Sequence, residues 1–401
     1  MKVRVVDYVA SLGGGVRFTA EMVRILGDRG DLSFEVVSHA GRLERYRSLI
    51  DGGQIGFLDI PPRNEWRMRT FFAGIPGAGP FNWILDTPDF HYDVDPRVFE
   101  GCDLVWFPWM HRHRIPLELA NRVVASLHDM IVVEFEELFP PRWGPSERKT
   151  ITRWLASGAR IAVSSNATVS TLGRLFQSPP GRVSVIPLSA QHSRPEGRGA
   201  RQPWPFASRE YLLCPANTSR HKNHDVLLKG IGEIALRHPL VLTGEGSDLF
   251  ADEAPRRQEL RRLAEEASLV RDQTIFGLGY LEDPDYYEIL DGAWALVMPT
   301  LAEGGGSFPV WEAIHEGIPA VCSDIPVMRE MVERVNGKVI WFDPQSTASL
   351  AGALTDLERN YPAHKAAAVA QVERLNVRTW DEVAQDYARL MQLAAAQRGV
   401  K

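Results

Sequence analysis

The stretch Val297-Met-Pro-Thr-Leu-Ala-Glu303-Gly-Gly-Gly-Ser-Phe-Pro309-Val-Trp-Glu312-Ala-Ile-His-Glu-Gly317-Ile-Pro decides how the second half of this chain folds. An apolar run at residues 295–298 precedes three consecutive glycines, and Pro309 then stands where the first turn of a helix tolerates proline. The pattern predicts a strand, a loop and a helix, with Ser307 as the N-cap and Gly317 at the helix end. Such a loop directs backbone N–H groups to one place at the positive end of a helix, which favours phosphate.

Two glutamates, Glu303 and Glu312, flank this predicted anion-binding loop. A carboxylate repels phosphate, so we expect each to accept hydrogen bonds from the hydroxyl groups of a sugar or ribose. Phosphate and hydroxyl groups together indicate a nucleotide sugar. The alternative is a solvated loop with surface acids, but three glycines in a row lose backbone entropy that a plain connector need not lose.

The segment from Glu303 to Glu312 resembles the Glu-x7-Glu signature of glycosyltransferase family 4, whose usual form is Glu-Gly-Phe-Gly-Leu-Pro-Val-Leu-Glu-Ala, with a loop that is one residue longer here. The resemblance implies that Glu303 approaches the donor sugar and that Glu312 binds the ribose. It also implies a set of loop residues around the diphosphate: Gly304, Gly305, Gly306, Ser307 and Phe308.

The composition fits an ordinary globular protein, because 44% of its 401 residues are hydrophobic and 24% are charged. This length suffices for two domains. The formal net charge of −6 argues against a nucleic-acid partner and requires a local basic cluster for any acidic ligand. Three separate cysteines in or beside apolar runs indicate buried thiols in a reducing compartment: Cys102, Cys214 and Cys322.

The first nine residues show a strand pattern broken by charges, which differs from a signal peptide. No apolar run approaches the roughly 20 residues that span a bilayer. We therefore expect a cytoplasmic protein, peripheral to the inner membrane face at most.

The first predicted strand, residues 3–9, leads into a glycine loop and an amphipathic helix at Phe18–Leu26. Loops at the carboxyl ends of parallel strands bind ligands in open α/β sheets, so we expect the backbone at Gly14 and Gly15 to approach one. A plain turn is the alternative. Members of the family often carry two glycines followed by an arginine here, facing the cleft between the domains, which adds Arg17 to the candidate site.

Residues 61–83 mix basic and aromatic side chains without a clear period. They suit an acceptor sugar or a lipid headgroup, but an irregular helix with core aromatics is the interpretation we prefer. The pair Asp93 and Asp95 matches an Asp-x-Asp metal motif without a supporting architecture, so we expect no metal there. His111 and His113 lack a third and fourth zinc ligand at a usual spacing, and we favour phosphate or acceptor contacts, or surface charge.

His128 and Asp129 follow an apolar strand at residues 123–127. A histidine there can donate a hydrogen bond to a sugar hydroxyl or move a proton, and a structural His-Asp pair is the alternative. The family commonly has His-Asp at this point, which implies that His128 lies near the transferred sugar with Asp129 as an orienting neighbour.

Two basic residues, Arg220 and Lys222, follow the strand at residues 211–214 and precede a predicted helix at 225–234. Charged donors beside a helix N-terminus bind phosphate oxygens well, although a basic turn is the alternative. The dipeptide at Lys222 and Asn223 resembles the Lys-Asn of the family, whose lysine binds the diphosphate.

Strands alternate with helices in both halves, which predicts doubly wound parallel sheets. We expect a first domain at residues 1–190, a Pro-, Gly- and Arg-rich linker at 191–208, a second domain at 209–376, and a final helix at 377–401. The resemblance implies the GT-B fold, an α/β architecture of two Rossmann-like domains facing across a cleft, with the last helix on the first domain.

The function implied by the resemblance is retaining transfer of a sugar from a nucleoside diphosphate, such as GDP-mannose or another NDP-hexose, to a glycan or lipid-linked acceptor in surface polysaccharide synthesis. The implied catalytic residues are Glu303, His128 and Lys222, and the family usually needs no metal or other cofactor. The alternatives are an epimerase or phosphorylase of the same fold, and a non-catalytic protein that binds nucleotide sugar.

Overall fold

The computed structural model describes residues 1–9, 14–50, 55–64, 91–177, 181–189, 203–234 and 236–396. The chain divides into two compact units: unit 1 is Met1–Ser189 with Arg378–Lys401, and unit 2 is Ala190–Val377. Most of the aromatic and basic tract at 61–83, and the linker up to residue 202, lie outside the described residues.

The strands of the described chain are β1 (Lys2–Val6), β2 (Ser33–Ser38), β3 (Ile55–Asp59), β4 (Tyr92–Asp93), β5 (Leu104–Phe107), β6 (His113–Arg114), β7 (Val123–Leu127), β8 (Arg160–Val163), β9 (Val183–Val185), β10 (Leu212–Pro215), β11 (Leu240–Thr243), β12 (Ile275–Gly277), β13 (Ala295–Met298), β14 (Ala320–Ser323) and β15 (Ile340–Phe342).

The α-helices are α1 (Gly14–Asp28), α2 (Ala40–Leu49), α3 (Ile131–Glu134), α4 (Trp143–Ala156), α5 (Asn166–Leu175), α6 (His224–Gly232), α7 (Pro255–Glu266), α8 (Asp283–Asp291), α9 (Phe308–His315), α10 (Pro326–Arg334), α11 (Thr347–Arg359), α12 (Tyr361–Val372) and α13 (Trp380–Ala396). Short 3₁₀ helices lie at Pro96–Phe99, Leu117–Arg122, Glu136–Leu138 and Arg220–Lys222.

Unit 1 is built on a parallel sheet in the order β3-β2-β1-β5-β7-β8-β9. Alternate side chains of one strand enter two separate cores: Leu104 and Trp106 of β5 point to one, Val105 and Phe107 to the other. Both faces of the sheet are therefore buried at this strand, which explains why β5 is a continuous apolar run.

Helix α13 completes one of these cores, although it follows unit 2 in the chain. Its residues Val383, Tyr387 and Met391 are buried against that face of the sheet. The Tyr387 hydroxyl lies 2.9 Å from Oγ of Ser126 on β7. The last described helix is thus part of unit 1.

Unit 2 is built on a second parallel sheet in the order β12-β11-β10-β13-β14-β15. Every residue of β10, β11, β13 and β14 is buried. The predicted α/β fold with parallel sheets is confirmed. The strand order reverses direction between β10 and β13, which makes this the switch point of the sheet.

The opening stretch folds as a strand, a loop and a helix, β13 to α9, as predicted. Gly317 follows the helix with a φ of 62°, the left-handed conformation that glycine adopts without strain. As predicted, Ser307 occupies the N-cap position of α9, although its side chain makes no capping hydrogen bond.

The three cysteines are free and buried. No helix within the described residues is long and apolar enough to cross a membrane.

Candidate functional site

Two loops meet at the switch point of unit 2, one after β10 and one after β13. The backbone N–H of Leu301 donates to the carbonyl of His221 at 2.7 Å, and the Thr300 hydroxyl donates to the same oxygen at 3.2 Å. Because ligands of open α/β sheets bind outside the carboxyl ends of the strands at such a point, these loops form the candidate site.

Asn223 fixes the first loop from within. Its φ of 59° is left-handed, a conformation that asparagine tolerates better than most residues. Its buried amide nitrogen donates to the carbonyls of Pro299 at 2.9 Å and Pro344 at 2.8 Å. These bonds tie the residue beside Lys222 to two other loops, a role that sequence alone did not suggest.

The structure brings Lys222 and Glu303 together. The lysine Nζ lies 2.6 Å from Oε1 of the glutamate, and the side chains are 17% and 9% exposed. Both were predicted independently, one for phosphate and one for sugar hydroxyls. An ammonium group has three N–H donors, so Lys222 keeps donors for a further anionic oxygen while it binds Glu303.

Arg220 does not join this pair. Its guanidinium extends to the Glu259 carboxylate on α7, at 2.9 Å, and is about half exposed. The structure therefore places it in a surface ion pair and away from the Lys222–Glu303 contact that it was predicted to assist.

The glycine loop lies against a methionine of α10. Gly306 has a φ of 110°, and the backbone N–H of Ser307 donates to the sulfur of Met331 at 3.2 Å. A thioether is a weak acceptor, so this N–H is only weakly bonded within the protein. Gly304, Gly305 and Phe308 are partly exposed in the same segment.

Glu312 is a buried carboxylate on α9 that binds two phenols. The hydroxyl of Tyr286 donates to its Oε2, and that of Tyr287 donates to Oε1 at 3.4 Å. Burial and the charge of Glu312 raise the pKa of Tyr286 well above its usual value, so its hydroxyl stays protonated. Neither tyrosine was predicted, because nothing in the local sequence shows that α8 lies beside Glu312.

The predicted glycines of the first loop lie at the start of α1. Gly14 is the first residue of this helix, and the carbonyl of Gly15 accepts a hydrogen bond from the Thr19 hydroxyl at 2.8 Å. The side chain of Arg17 lies outside the described residues. These residues belong to unit 1 and the Lys222–Glu303 pair to unit 2.

His128 is a buried, neutral histidine at the end of β7. Burial lowers its pKa to about 4. Nδ1 lies 2.8 Å from Oγ of Ser164 and Nε2 lies 2.9 Å from the carbonyl of Pro108, so both ring nitrogens are used within unit 1. Asp129 accepts the N–H of Ile131 at 3.2 Å and so orients the start of α3.

The other titratable candidates of unit 1 have structural partners. Asp95 accepts the N–H of Arg97 and pairs with its guanidinium, and Asp93 lies 3.9 Å from Arg114. His111 contacts Glu147. Within the described ranges, no three His, Cys, Asp or Glu side chains are grouped closely enough to hold a metal ion.

Comparison with protein families matches residues 200–372 to the family Glycosyl transferases group 1. That region contains Lys222, Glu303 and Glu312. A curated relative, O-antigen chain mannosyltransferase B of Escherichia coli, is 28% identical over 221 residues, 53% of this chain. The match spans about half of that relative, 55% of its length.

Solved structures show the same fold over nearly the whole chain. Sucrose-phosphate synthase of Thermosynechococcus elongatus superimposes with a TM-score of 0.67 at 16% identity, covering 99% of this chain and 100% of that one. HepE of Anabaena, in complex with UDP and glucose, superimposes with a TM-score of 0.64 at 13% identity, covering 98% of this chain and 99% of that one. The fold is that of GT-B glycosyltransferases.

Proposed function

We propose that this protein transfers a sugar from a nucleoside diphosphate donor to an acceptor hydroxyl. The observation that carries the proposal is the Lys222–Glu303 pair at the switch point of a Glycosyl transferases group 1 domain. A cation beside a carboxylate suits the two ends of a sugar diphosphate, because the phosphate needs positive charge and the sugar hydroxyls need an acceptor.

Lys222 stabilises the charge that develops on the departing diphosphate, the largest electrostatic demand of this reaction. When the nucleotide sugar binds, some N–H groups of Lys222 donate to the phosphate and the others to Glu303. The other carboxylate oxygen of Glu303 then accepts a hydrogen bond from a hydroxyl group of the transferred sugar. The loop amide of Ser307 leaves the sulfur of Met331 for a phosphate oxygen.

Glu312 binds the ribose in this proposal, with its carboxylate held by Tyr286 and Tyr287. A carboxylate has about four lone-pair sites, so two phenols leave room for the ribose hydroxyls. The family resemblance adds retention of the anomeric configuration and chemistry that needs no metal.

The donor sugar we propose is mannose or a related hexose, and the product a surface polysaccharide, because the curated relative is an O-antigen mannosyltransferase. The acceptor is then a glycan or a lipid-linked sugar. A cytoplasmic location with peripheral membrane contact stays a prediction from the sequence.

A thermal-shift panel of GDP-, UDP- and dTDP-sugars, with and without magnesium, tests the donor site. A ligand at about 100 times its Kd stabilises the folded protein by roughly 2.7 kcal/mol. We expect one nucleotide class to raise Tm without metal. Lys222→Ala should lower the affinity for that nucleotide sugar and for the free nucleoside diphosphate alike. The expected loss is about 10-fold or more, which corresponds to one charge-assisted hydrogen bond.

Arg262→Ala is the matched control, because Arg262 forms an exposed ion pair with Glu266 on α7. It should leave the nucleotide shift unchanged. If Lys222→Ala bound nucleotides as well as wild type, the diphosphate assignment would be wrong. Turnover without an acceptor, or a requirement for inorganic phosphate, would replace transfer with epimerase or phosphorylase chemistry.

A further inference from the structure

The Lys222–Glu303 ion pair is an interaction that a diphosphate must disturb when it binds the lysine. The ammonium nitrogen lies 2.6 Å from Oε1, and the two side chains are 17% and 9% exposed. Of the described residues, Lys222 is the hydrogen-bond donor that reaches Glu303. Little water screens a pair that is this well covered, so its attraction is stronger than that of an exposed ion pair. A phosphate that binds Lys222 therefore competes with a carboxylate already in place.

The loop after β10 offers a phosphate little other side-chain charge. Arg220 is held in its surface ion pair. Burial, with the charge of Lys222 adding to it, lowers the pKa of His221 to about 3. Burial also lowers the pKa of His224 to about 4, so both imidazoles are neutral near pH 7. Within this described loop, Lys222 is thus the positive charge for which Glu303 and an incoming phosphate compete.

The other contact that a diphosphate would replace is much weaker. The backbone N–H of Ser307 donates to the sulfur of Met331 at 3.2 Å, and a thioether is a weak acceptor. The bond between the ammonium group and the carboxylate is charge-assisted, and such bonds are roughly twice as strong as neutral ones. The cost of admitting a phosphate is therefore larger at Glu303 than at Ser307.

A nucleotide sugar and a free nucleoside diphosphate compensate Glu303 differently. The sugar offers hydroxyl donors to the carboxylate, and it gains positive charge as its bond to the phosphate breaks. The free diphosphate offers neither. Its terminal phosphate also carries a charge of about −1.5 to −2 at pH 7, as phosphate monoesters do, whereas the same phosphate is singly charged while it is bonded to the sugar. Repulsion by Glu303 therefore acts most on the free diphosphate.

We propose that Glu303 selects against the free nucleoside diphosphate and so helps to expel it after sugar transfer. This rests on the proposed function, since Lys222 must bind the diphosphate. While the sugar is present, its hydroxyl groups and its developing positive charge compensate the carboxylate. Once the sugar has moved to the acceptor, Glu303 competes for Lys222 again and repels the terminal phosphate. Glu303 is thus a residue that determines specificity between the donor and the spent product.

Isothermal titration calorimetry of the full-length protein, without magnesium, tests the proposal. GDP and UDP are the free diphosphates, and GDP-mannose and UDP-glucose are the matched nucleotide sugars. Glu303→Gln keeps the size of the side chain and one oxygen acceptor but removes the charge. It should bind the free diphosphate about 10-fold more tightly, the effect of one charge-assisted hydrogen bond that no longer competes. The affinity for the nucleotide sugar should change far less. Equal or weaker binding of the diphosphate, or an equal gain for both ligands, would overturn the proposal.

Glu266→Gln is the matched control, because it removes the same charge from an exposed ion pair with Arg262. It should leave both affinities unchanged, and a gain as large as that of Glu303→Gln would assign the effect to net charge and refute the proposal. Glu303→Ala is the second test variant, in case Glu303→Gln folds poorly. It also removes the charge, so it should gain affinity for the free diphosphate while it loses affinity for the nucleotide sugar.

The same titrations separate this inference from the proposed function. If wild type binds a free diphosphate, Lys222→Ala weakens that binding and Glu303→Gln does not tighten it, the donor site stands and the inference fails. If neither wild type nor Glu303→Gln binds any of these nucleotides, the donor site itself fails and the inference falls with it. Binding of a free diphosphate by Glu303→Gln and not by wild type would support both.

Discussion

The substitution Gly306→Ala should damage both the stability and the nucleotide affinity of unit 2. A Cβ at this position would lie 2.4 Å from Sδ, 2.8 Å from Cγ and 3.1 Å from Cβ of Met331. The φ of 110° is also unfavourable for any residue with a side chain. Backbone strain of this kind costs roughly 1–3 kcal/mol, and displacing a packed core side chain costs about 1–3 kcal/mol more.

Met331 cannot move aside freely, because this residue of α10 is buried, with 2% of its surface exposed. We therefore expect a total loss of about 2–6 kcal/mol in the free energy of unfolding, from the strain and overpacking ranges together. The displaced loop amides should weaken nucleoside diphosphate binding by about 10-fold, the effect of one misplaced charge-assisted hydrogen bond. Equilibrium urea unfolding and isothermal calorimetry measure these quantities.

Gly352→Ala is the matched control, because a Cβ there meets nothing within 4 Å on helix α11. It should stabilise the protein by about 0.5–1 kcal/mol. The double variant Gly306→Ala/Met331→Ala should lose less unfolding free energy than the two single variants added together. The shortened side chain at position 331 no longer clashes with the new Cβ at position 306. A Gly306→Ala protein as stable as wild type would refute the packing argument.

Three further perturbations follow from the described contacts. Tyr286→Phe should weaken nucleotide binding about 10-fold, because it removes one hydrogen bond to the Glu312 carboxylate. Tyr287→Phe should have a smaller effect, since the Tyr287 hydroxyl lies 3.4 Å from Glu312. Equal effects of the two variants in calorimetry would contradict the assignment of Glu312 to the ribose. Asn223→Gly should lose about 2 kcal/mol in urea unfolding for two buried hydrogen bonds, and Asn223→Ala about 1 kcal/mol more for its left-handed φ; the reverse order would be inconsistent with the φ argument. The free energy of unfolding should fall as the pH drops from 6.5 to 4. Over this range three histidines bind a proton in the unfolded chain but stay neutral in the folded one, and each lowers the free energy of unfolding by on the order of 3 kcal/mol. Their pKa values are lowered to about 4 by burial: His113, His128 and His224. A urea midpoint that stays constant over this range would rule out their neutral burial.

Local sequence patterns predicted the strands and the loops that carry the candidate site. The apolar runs at β10 and β13 are short, continuous and followed by glycine or basic residues, so they place Lys222 and Glu303 at the same sheet edge before any coordinates are known. The contact between these two residues, which are 81 positions apart, follows from adjacent strands in a parallel sheet.

Contacts that depend on packing between distant helices could not be predicted. Glu312 meets Tyr286 and Gly306 meets Met331 because α8, α9 and α10 have particular orientations, which no periodicity encodes. The same holds for the buried contact between His111 and Glu147. The sequence predicted Ser307 at the N-cap of α9 correctly, but residue type alone does not fix the side-chain rotamer, so it could not show that the hydroxyl makes no capping bond.

The position of α13 in the core of unit 1 constrains how this protein reaches its native state during synthesis. Tyr387 and Ser126 are 261 residues apart in the chain, so a ribosome completes all of unit 2 before α13 can cover the sheet face around Trp106 and Val124. Until then that face presents apolar surface, a target for chaperones and a source of aggregation. Unit 2, whose sheet is made of one continuous segment, is thus able to fold first, and the unit made earlier matures last.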